Sequence, residues 1–318
     1  MNRAAQPCPA CGDPNYRVLF QAADRLYHTT AKRFEVVECG ACGLMRLHPW
    51  PSNGELRTYY PDEYWFAPAG GAVERMEELY RRLVLCDHIR FVEAAIQHAG
   101  GGLVLDVGCG GGLFAGMLAE RGVRVAGLDS SLSAARIAWH RKRAPAVCGD
   151  LASAPFARGS CAVITMFHVV EHLYDPAAYL TAARELLKPD GRLVVQAPNA
   201  SCWQFRLFGE RWNGIDAPRH LIDFRQSDLD RLLARCGFEP VRHKYFSLRD
   251  NPAGLATTLA PSLDPMARRV RQMAESGAAR LFKDVAYLAL AMASVPFAAL
   301  EAAFRAGSTV MVEARKKR

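Results

Sequence analysis

The stretch Leu103–Gly112, which reads LVLDVGCGGG, constrains the fold of this 318-residue chain more than any other. It predicts a buried strand that runs directly into a glycine turn. Gly108, Gly110 and Gly112 have no Cβ atom, so the backbone there can approach a ligand closely. We expect a helix from about Leu113, whose free N–H groups would point at that ligand. The chain is therefore predicted to bind a nucleotide-like molecule at this turn.

Strands and helices alternate after the turn. We expect further strands at Val123–Asp129, Ala146–Asp150, Ala162–His168, Leu193–Gln196, near Pro240–Phe246 and at Thr309–Ala314. The segments between them favour helices at Ser133–Arg143, Pro176–Leu187 and Gln226–Cys236. This alternation of strands and helices predicts an α/β fold, a Rossmann-like doubly wound sheet with helices on both faces.

Acidic residues at the ends of successive strands indicate which ligand the turn binds. The dinucleotide fingerprint needs a glycine at position 113, where this chain has Leu113. Asp106 lies two residues before the first glycine, Asp129 ends the next strand, and Asp150 ends the one after. Asp129 can accept from two ribose hydroxyls and Asp150 from an adenine amine, whereas a pyrophosphate would be repelled. These residues therefore favour S-adenosylmethionine (SAM).

The motifs that carry this argument resemble those of the class I SAM-dependent methyltransferases. They are LDVGCGGG at 105–112, GLD at 127–129, GDL at 149–151 and LKPDGRL at 187–193. The segment FHVVEHL at 167–173 looks like that of the subgroup with ubiquinone-biosynthesis O-methyltransferases. The resemblance implies a seven-stranded sheet whose last strand is antiparallel. It also implies SAM binding by Asp106, Gly108, Gly110, Gly112, Asp129, Asp150, Leu151 and His168.

Four cysteines near the N-terminus predict a metal site. Cys8 and Cys11 form one CxxC pair, Cys39 and Cys42 form another, and a glycine follows each pair. Four thiolates close a tetrahedral structural zinc site, although a redox dithiol is the alternative reading. The segment WNGIDAPRHL at 212–221 also resembles a motif in bacterial methyltransferases that carry an N-terminal zinc ribbon.

The predicted organisation has three parts. Residues 1–50 form the zinc ribbon, residues 51–100 a connecting aromatic segment and a helix over Val73–His98, and residues 101–318 the methyltransferase domain. The aromatic residues of the connection either pack the ribbon onto the domain or form a lid over the cofactor: Tyr59, Tyr60, Tyr64, Trp65 and Phe66.

Methyl transfer needs an oriented acceptor and often a group that removes its proton. His220, His172 and Glu171 are the candidate catalytic residues, with His220 the first choice as base. His172 and His220 can instead have structural roles, since His172 can start a helix and His220 lies in a loop rich in aromatic residues. Arg206 and Arg219 are candidates for holding a phosphate or carboxylate on the acceptor.

A helical insertion at 264–306 is predicted before the last strand. Val285–Leu300 has no charged residue, but it is shorter than the roughly 20 residues of a membrane span and contains Pro296. A buried or partner-facing helix pair is one reading. The other is a peripheral membrane contact, favoured by the upstream cations Arg268, Arg269, Arg271, Arg280 and Lys283.

The sequence predicts methyl transfer to an oxygen or carbon of a small-molecule, glycan-type or lipid-linked acceptor. A zinc-ribbon RNA methyltransferase is the alternative, and the net charge of +8 is compatible with either. We expect no nucleic-acid partner, because the ribbon has few clusters of aromatic and basic residues. Residues 1–30 lack an apolar signal segment, which predicts a cytoplasmic protein, with peripheral attachment to the inner face of the membrane left open.

Overall fold

The N-terminal part of the chain forms a small antiparallel sheet. The structure is a computed structural model that describes residues 6–61, 72–142 and 144–317. Three successive strands pair in order, β1 (Tyr16–Ala23), β2 (Arg33–Cys39) and β3 (Met45–His48). Gly12 and Gly43, which follow the two CxxC pairs, have φ angles of +80° and +75°. These are the left-handed angles that a knuckle turn needs and that glycine adopts without strain.

The rest of the chain alternates between helices and strands. The helices are α1 (Asn53–Thr58), α2 (Ala72–Val84), α3 (Cys86–His98), α4 (Leu113–Ala119), α5 (Leu132–Lys142), α6 (Pro176–Leu186), α7 (Trp203–Phe208), α8 (Gln226–Arg235), α9 (Asn251–Leu259), α10 (Pro265–Val270) and α11 (Gly277–Ala303). The strands are β4 (Leu103–Val107), β5 (Val125–Asp129), β6 (Ala146–Cys148), β7 (Cys161–Phe167), β8 (Leu187–Pro198), β9 (Ile222–Asp223), β10 (Phe238–Lys244) and β11 (Thr309–Lys316). The single helix expected over Val73–His98 is instead two helices that meet at Leu85.

Seven strands form the central sheet in the order β10-β11-β8-β7-β4-β5-β6. Strands β4 to β8 pair in parallel, and β11 is antiparallel to both of its neighbours. The predicted doubly wound sheet with an antiparallel last strand is therefore confirmed. The chain leaves β4 toward β5 on one side and later returns to form β7 on the other side. This reversal opens a crevice at the carboxyl ends of β4 and β7, where ligands bind in such sheets.

The N-terminal sheet is joined to the central part of the chain by a fourth strand. β9 comes from the loop after β8 and pairs with β3. The Leu47 N–H donates to the Leu221 carbonyl at 3.0 Å, and the Leu221 N–H donates to the Glu171 carbonyl at 2.8 Å. Hydrogen bonds thus run without a break from the N-terminal sheet to the turn that follows β7.

A buried arginine reinforces this junction. The Arg219 guanidinium is fully buried and pairs with Asp24 at 2.8 Å and with Asp216 at 2.6 Å. It also lies over the Tyr27 ring, 4.4 Å from its centroid. Burial alone would raise the pKa of Asp24, but hydrogen bonds and charge from Arg219 hold that pKa below its ordinary value. Arg219 therefore ties the turn after β1 to the loop that leads into β9.

The predicted insertion is helical, and its longest helix has an unusual polarity. In α11 the polar side chains of Ser294 and Glu301 are buried, and Glu301 accepts hydrogen bonds from Gln204 at 2.7 and 2.8 Å. The outer face carries exposed apolar side chains that continue just past the helix: Leu281, Phe282, Val285, Leu288, Met292, Leu300 and Phe304. Among the described residues, α11 is the one helix long and apolar enough to cross a membrane, a property that core helices of soluble proteins share.

We expect Arg219→Met to lower the free energy of unfolding by about 3–5 kcal/mol at neutral pH, because it leaves the buried Asp24 carboxylate without its cation. The lowered pKa of Asp24 means that its pairing stabilises the fold at neutral pH and loses this effect as the pH falls. The difference between the native chain and the variant should therefore shrink below about pH 4. Urea unfolding at pH 7 and at pH 3 measures both effects.

Arg225→Met is the matched control. Arg225 pairs with Glu38 at the same junction, but its side chain retains 31% of its exposure. Its removal should cost about 1 kcal/mol or less. Equal losses in the two variants would contradict the special role of Arg219.

Candidate active site

A cavity of about 560 Å³ opens at the carboxyl ends of the central strands. Segments from every part of the chain line it. They include the glycine turn at Gly110 and Gly111, the turn after β7 at His168 and His172, the loop from Trp212 to His220, the segment after β10 from Arg249 to Tyr287, and Leu26 and Tyr27 beside the N-terminal sheet. The volume is within the range of roughly 300–1,000 Å³ that small-molecule sites occupy.

The three glycines of the turn have different roles. All have positive φ angles, +72° at Gly108, +52° at Gly110 and +73° at Gly112. A Cβ atom on Gly108 would lie 2.5 Å from the Val169 side chain, and one on Gly112 would lie 2.6 Å from Ala138. A Cβ atom on Gly110 would meet no atom within 4 Å, and Gly110 lines the cavity. Gly108 and Gly112 therefore allow close packing within the protein, while Gly110 leaves room for a ligand.

Asp129 is held firmly beside the turn. Its Oδ2 atom accepts from the Gly110 N–H and its Oδ1 atom from the Ser131 N–H, both at 2.8 Å. Burial raises the pKa of this carboxyl, and the two N–H donors oppose that shift. Each oxygen keeps a free lone pair, because a carboxylate oxygen can accept two hydrogen bonds. The carboxylate is thus oriented in advance for two further donors.

The other two predicted acids are placed differently. Asp106 is buried behind the turn, where it accepts from the Thr165 hydroxyl at 2.7 Å, and burial raises its pKa to about 7. Asp150 is exposed and accepts from the Ala152 N–H at 2.9 Å and the Tyr179 hydroxyl at 2.8 Å. The side chain of the neighbouring Leu151 is buried. None of the three acids, Asp129 included, is among the residues that line the cavity.

His168 lies at the end of β7 in a conformation that side chains rarely adopt, with a φ angle of +56°. Its Nδ1 atom donates to Glu171 at 3.0 Å, and its Nε2 atom lies 3.6 Å from an oxygen of Asp250. Burial would lower the pKa of His168, but the two carboxylates raise it to about 9. The two carboxylates thus favour the protonated ring, and the Gln196 Nε2 atom also lies 3.0 Å from His168 Nε2. Arg249 and His168 lower the pKa of Asp250 against the effect of burial.

Glu171, His172 and His220, the three predicted catalytic residues, lie together and are here called the His–Glu cluster. The two imidazole rings are 4.8 Å apart, and both line the cavity. Burial lowers the pKa of His172 to about 4, with a further contribution from His220. Burial opposes ionisation of Glu171, but His168 lowers its pKa to about 2. The cluster thus combines a neutral imidazole with a carboxylate at the end of the cavity beside the ribbon.

Sequence reasoning overlooked several residues of the cavity. Asp250, Arg249, Tyr27 and Tyr287 all line it, and Asp250 bridges His168 and Gln196. The sequence Asp-Asn-Pro at 250–252, a typical helix start, was the available signal for Asp250. The arginines expected to hold an anion do not line the cavity, because Arg219 is buried against Asp24 and Asp216 and Arg206 is exposed elsewhere.

The four N-terminal cysteines converge outside this cavity. The Cys8 and Cys42 sulfurs are 3.6 Å apart, and the Cys11 and Cys39 sulfurs are 3.5 Å apart. All four ligand atoms lie within 4.8 Å of one another. A tetrahedral zinc ion with Zn–S bonds of about 2.3 Å would place its sulfurs roughly 3.8 Å apart. The donor set and its spacing therefore fit zinc.

Of the predicted aromatic connection, Tyr59 and Tyr60 are described. Tyr59 is buried against Phe34 of the N-terminal sheet, and the Tyr60 hydroxyl lies 2.9 Å from Nδ1 of His172. This end of the connection therefore joins the ribbon to the His–Glu cluster. Tyr64, Trp65 and Phe66 lie outside the described residues.

Comparison with known proteins places this arrangement in a family. Residues 76–243, just over half of the chain, match the methyltransferase domain family. A probable S-adenosylmethionine-dependent methyltransferase of Mycolicibacterium smegmatis is 31% identical over 184 residues, 56% of this chain and 60% of that protein. A ubiquinone biosynthesis O-methyltransferase of Cereibacter sphaeroides is 33% identical over 152 residues, 44% of this chain and 62% of that one.

The chain thus spans about three fifths of the length of these curated relatives. A solved SAM-dependent methyltransferase from Archaeoglobus fulgidus is 17% identical with a TM-score of 0.48, and the match covers 77% of this chain and all of that one. On the match over residues 76–243, the chain belongs to the methyltransferase domain family.

Proposed function

We propose that this protein transfers a methyl group from SAM to an oxygen or carbon of a small-molecule, glycan-type or lipid-linked acceptor. The observation that carries the proposal is the Asp129 carboxylate, fixed by two N–H donors beside a glycine turn that opens onto the cavity. Membership of the methyltransferase domain family supports the same activity.

The residues around the turn fit SAM as the donor. Asp129 is the proposed acceptor of the two ribose hydroxyls, and Gly110 allows the ligand to approach the backbone. Asp106, Asp129 and Asp150 lie near the carboxyl ends of β4, β5 and β6, beside the turn rather than in the cavity lining, and a set of acids there favours a ligand with an ammonium group and without phosphates. When bound, SAM supplies an electrophilic methyl group on a sulfonium centre.

The acceptor is proposed to lie between the turn and the His–Glu cluster. In this position its reacting atom can approach the methyl carbon in line with the carbon–sulfur bond, which is the geometry that displacement requires. Tyr27, Trp212 and Tyr287 provide aromatic walls, while the lone pairs of the cluster can accept a hydrogen bond or proton from an acceptor hydroxyl.

We expect Asp129→Asn to weaken SAM binding by about 10- to 100-fold, because a hydrogen bond to a charged group contributes about 1.5–3 kcal/mol. Calorimetry with the purified chain measures the dissociation constant, and a thermal melt checks that the variant is folded. Asp190→Asn, which changes an exposed acid in β8, is the control and should bind SAM like the native chain. If Asp129→Asn bound SAM as tightly as the native chain, or if the native chain did not bind SAM, this cofactor site would be excluded.

We also propose that Cys8, Cys11, Cys39 and Cys42 bind one structural zinc ion. The sulfur spacing and the four-thiolate donor set support this. The Arg231 guanidinium donates to the Cys42 carbonyl at 3.1 Å and Arg225 donates to the Gly43 carbonyl at 2.7 Å. Metal loss should therefore loosen the contact between the ribbon and α8, and with it the adjacent pairing of β3 with β9, the strand that follows His220.

Elemental analysis should find one zinc per chain, and Cys39→Ser should reduce it to well below one. Cys148→Ser alters an exposed cysteine away from the cluster and should leave the zinc content unchanged. Hydrogen exchange on the chelated chain should rise in residues 209–223, which rest on the ribbon, while β4 and β7 stay protected. Full zinc content in the Cys39 variant would contradict the four-cysteine site.

The outer face of α11 is the proposed site of a peripheral membrane contact. Contiguous exposed apolar surface of this kind is rare on monomeric soluble proteins. The upstream cations are only partly neutralised, because Arg268 and Lys283 share Glu275, Arg268 also pairs with Asp284, and Arg271 keeps its charge beside the neutral Arg25 carbonyl. Attraction to the bilayer should therefore combine apolar contact with attraction to anionic lipid.

We expect the native chain to co-sediment with phosphatidylcholine vesicles and more strongly with vesicles containing phosphatidylglycerol, with the additional binding lost at high salt. Changing both Leu288 and Met292 to Glu should reduce binding at least tenfold, since each buried apolar side chain contributes about 1.5–3 kcal/mol. Val241→Glu alters an exposed apolar residue of β10 and serves as the control. If ultracentrifugation shows a dimer that only the double variant disrupts, the face binds a second copy instead.

A further inference from the structure

We propose that Glu171, His172 and His220, the His–Glu cluster, bind a divalent metal ion whose open coordination positions face the cavity. One candidate ligand atom from each residue lies within 4.8 Å of the other two. Two imidazoles and one carboxylate are a common set of protein ligands for catalytic zinc and for iron, and they leave coordination positions free for other ligands. This site is separate from the four-cysteine site and has a different donor chemistry.

Hydrogen bonds orient both imidazole rings for metal binding. Nδ1 of His172 lies 3.0 Å from the Arg219 carbonyl oxygen, and Nδ1 of His220 lies 2.8 Å from the Gly214 carbonyl oxygen. A carbonyl oxygen only accepts, so each Nδ1 atom has a proton, and in the neutral ring the lone pair is on Nε2. The Tyr60 hydroxyl, 2.9 Å from Nδ1 of His172, can accept from the same N–H. A backbone carbonyl on the second ring nitrogen is the usual partner of a metal-binding histidine.

Glu171 provides the independent observation that a ligand is expected here. Its side chain is 1% exposed. Its Oε1 atom accepts from His168, but its Oε2 atom is buried and has no hydrogen-bond partner among the residues that the structure describes. An ionised oxygen without a partner costs free energy in a buried place. A cation between Oε2 and the two imidazoles would remove that cost.

The cluster is accessible from the side where the acceptor is proposed to bind. His172 and His220 line the cavity, whereas Glu171 lies behind them. Ligands about 2.1 Å from one ion are roughly 3 Å apart, so the three side chains must draw closer when the ion binds. The free coordination positions would then point into the cavity.

The metal site also indicates which group of the acceptor reacts. Combined with the proposed methyl transfer, on which this inference rests, it favours an acceptor that is methylated on a hydroxyl group. The bound ion lowers the pKa of the coordinated hydroxyl, whose proton leaves to water. The oxygen then forms a bond to the methyl carbon while the carbon–sulfur bond breaks, and its electron pair stays on sulfur. The products are a methyl ether and a neutral thioether.

Manganese is the probe that separates this site from the four-cysteine site, because thiolates hold this hard ion weakly. The zinc-loaded full chain is titrated with Mn²⁺, and free and bound ions are counted by electron paramagnetic resonance. We expect one bound Mn²⁺ per native chain and at least tenfold weaker binding in both Glu171→Gln and His220→Gln. His140→Gln and Glu185→Gln, which change residues outside the cavity, are the matched controls and should bind like the native chain.

SAM calorimetry on the same samples shows whether the variants are folded and tests the proposed function separately. Loss of Mn²⁺ binding with native SAM binding would support the site, and Mn²⁺ binding without SAM binding would leave the metal site but exclude the methyl donor. No binding by the native chain at about 1 mM Mn²⁺, or equal binding by both cluster variants, would overturn the proposal. Catechol, a bidentate oxygen ligand, should alter the spectrum of the bound ion, and an unchanged spectrum would exclude the hydroxyl acceptor.

Discussion

The structure depends on a cation that the solvent does not reach, the Arg219 guanidinium between Asp24 and Asp216. An unpaired charge in such a place would be costly, so each partner requires the others. The three residues come from the turn after β1 and from the loop before β9. Their mutual pairing makes the N-terminal sheet and the cavity loop a single structural unit, and the adjacent His220 takes its position from it.

This connection explains how a small N-terminal sheet can influence a distant site. The Arg219 carbonyl orients His172, and the Leu221 N–H donates to the Glu171 carbonyl, so one short segment contacts two members of the His–Glu cluster. The central sheet supplies the cofactor side of the cavity through the turn after β4. The ribbon and the insertion enclose the other side, where acceptor specificity would reside.

Local patterns in the sequence predicted much of this arrangement. The paired cysteines, the glycine turn and the acids at strand ends are short-range signals, and the sheet of seven strands with an antiparallel last strand is what the family resemblance implied. The role of Arg219 in joining the N-terminal sheet to the cavity loop was not predictable, because its partner Asp24 is 195 residues away in the sequence. For the same reason the sequence did not show that β9 completes the N-terminal sheet, or that Asp250 meets His168 in the cavity.

The polarity of α11 has a consequence for the route of an acceptor. Tyr287 lines the cavity, while the next residue, Leu288, is exposed on the outer face. At this point the thickness of one helix, about 10 Å, separates the cavity from the outer face. An amphiphilic molecule bound to the exposed apolar face of α11 would be close enough for its polar end to reach the cavity. Such a compound could reach the methyl donor while its apolar tail stayed out of water.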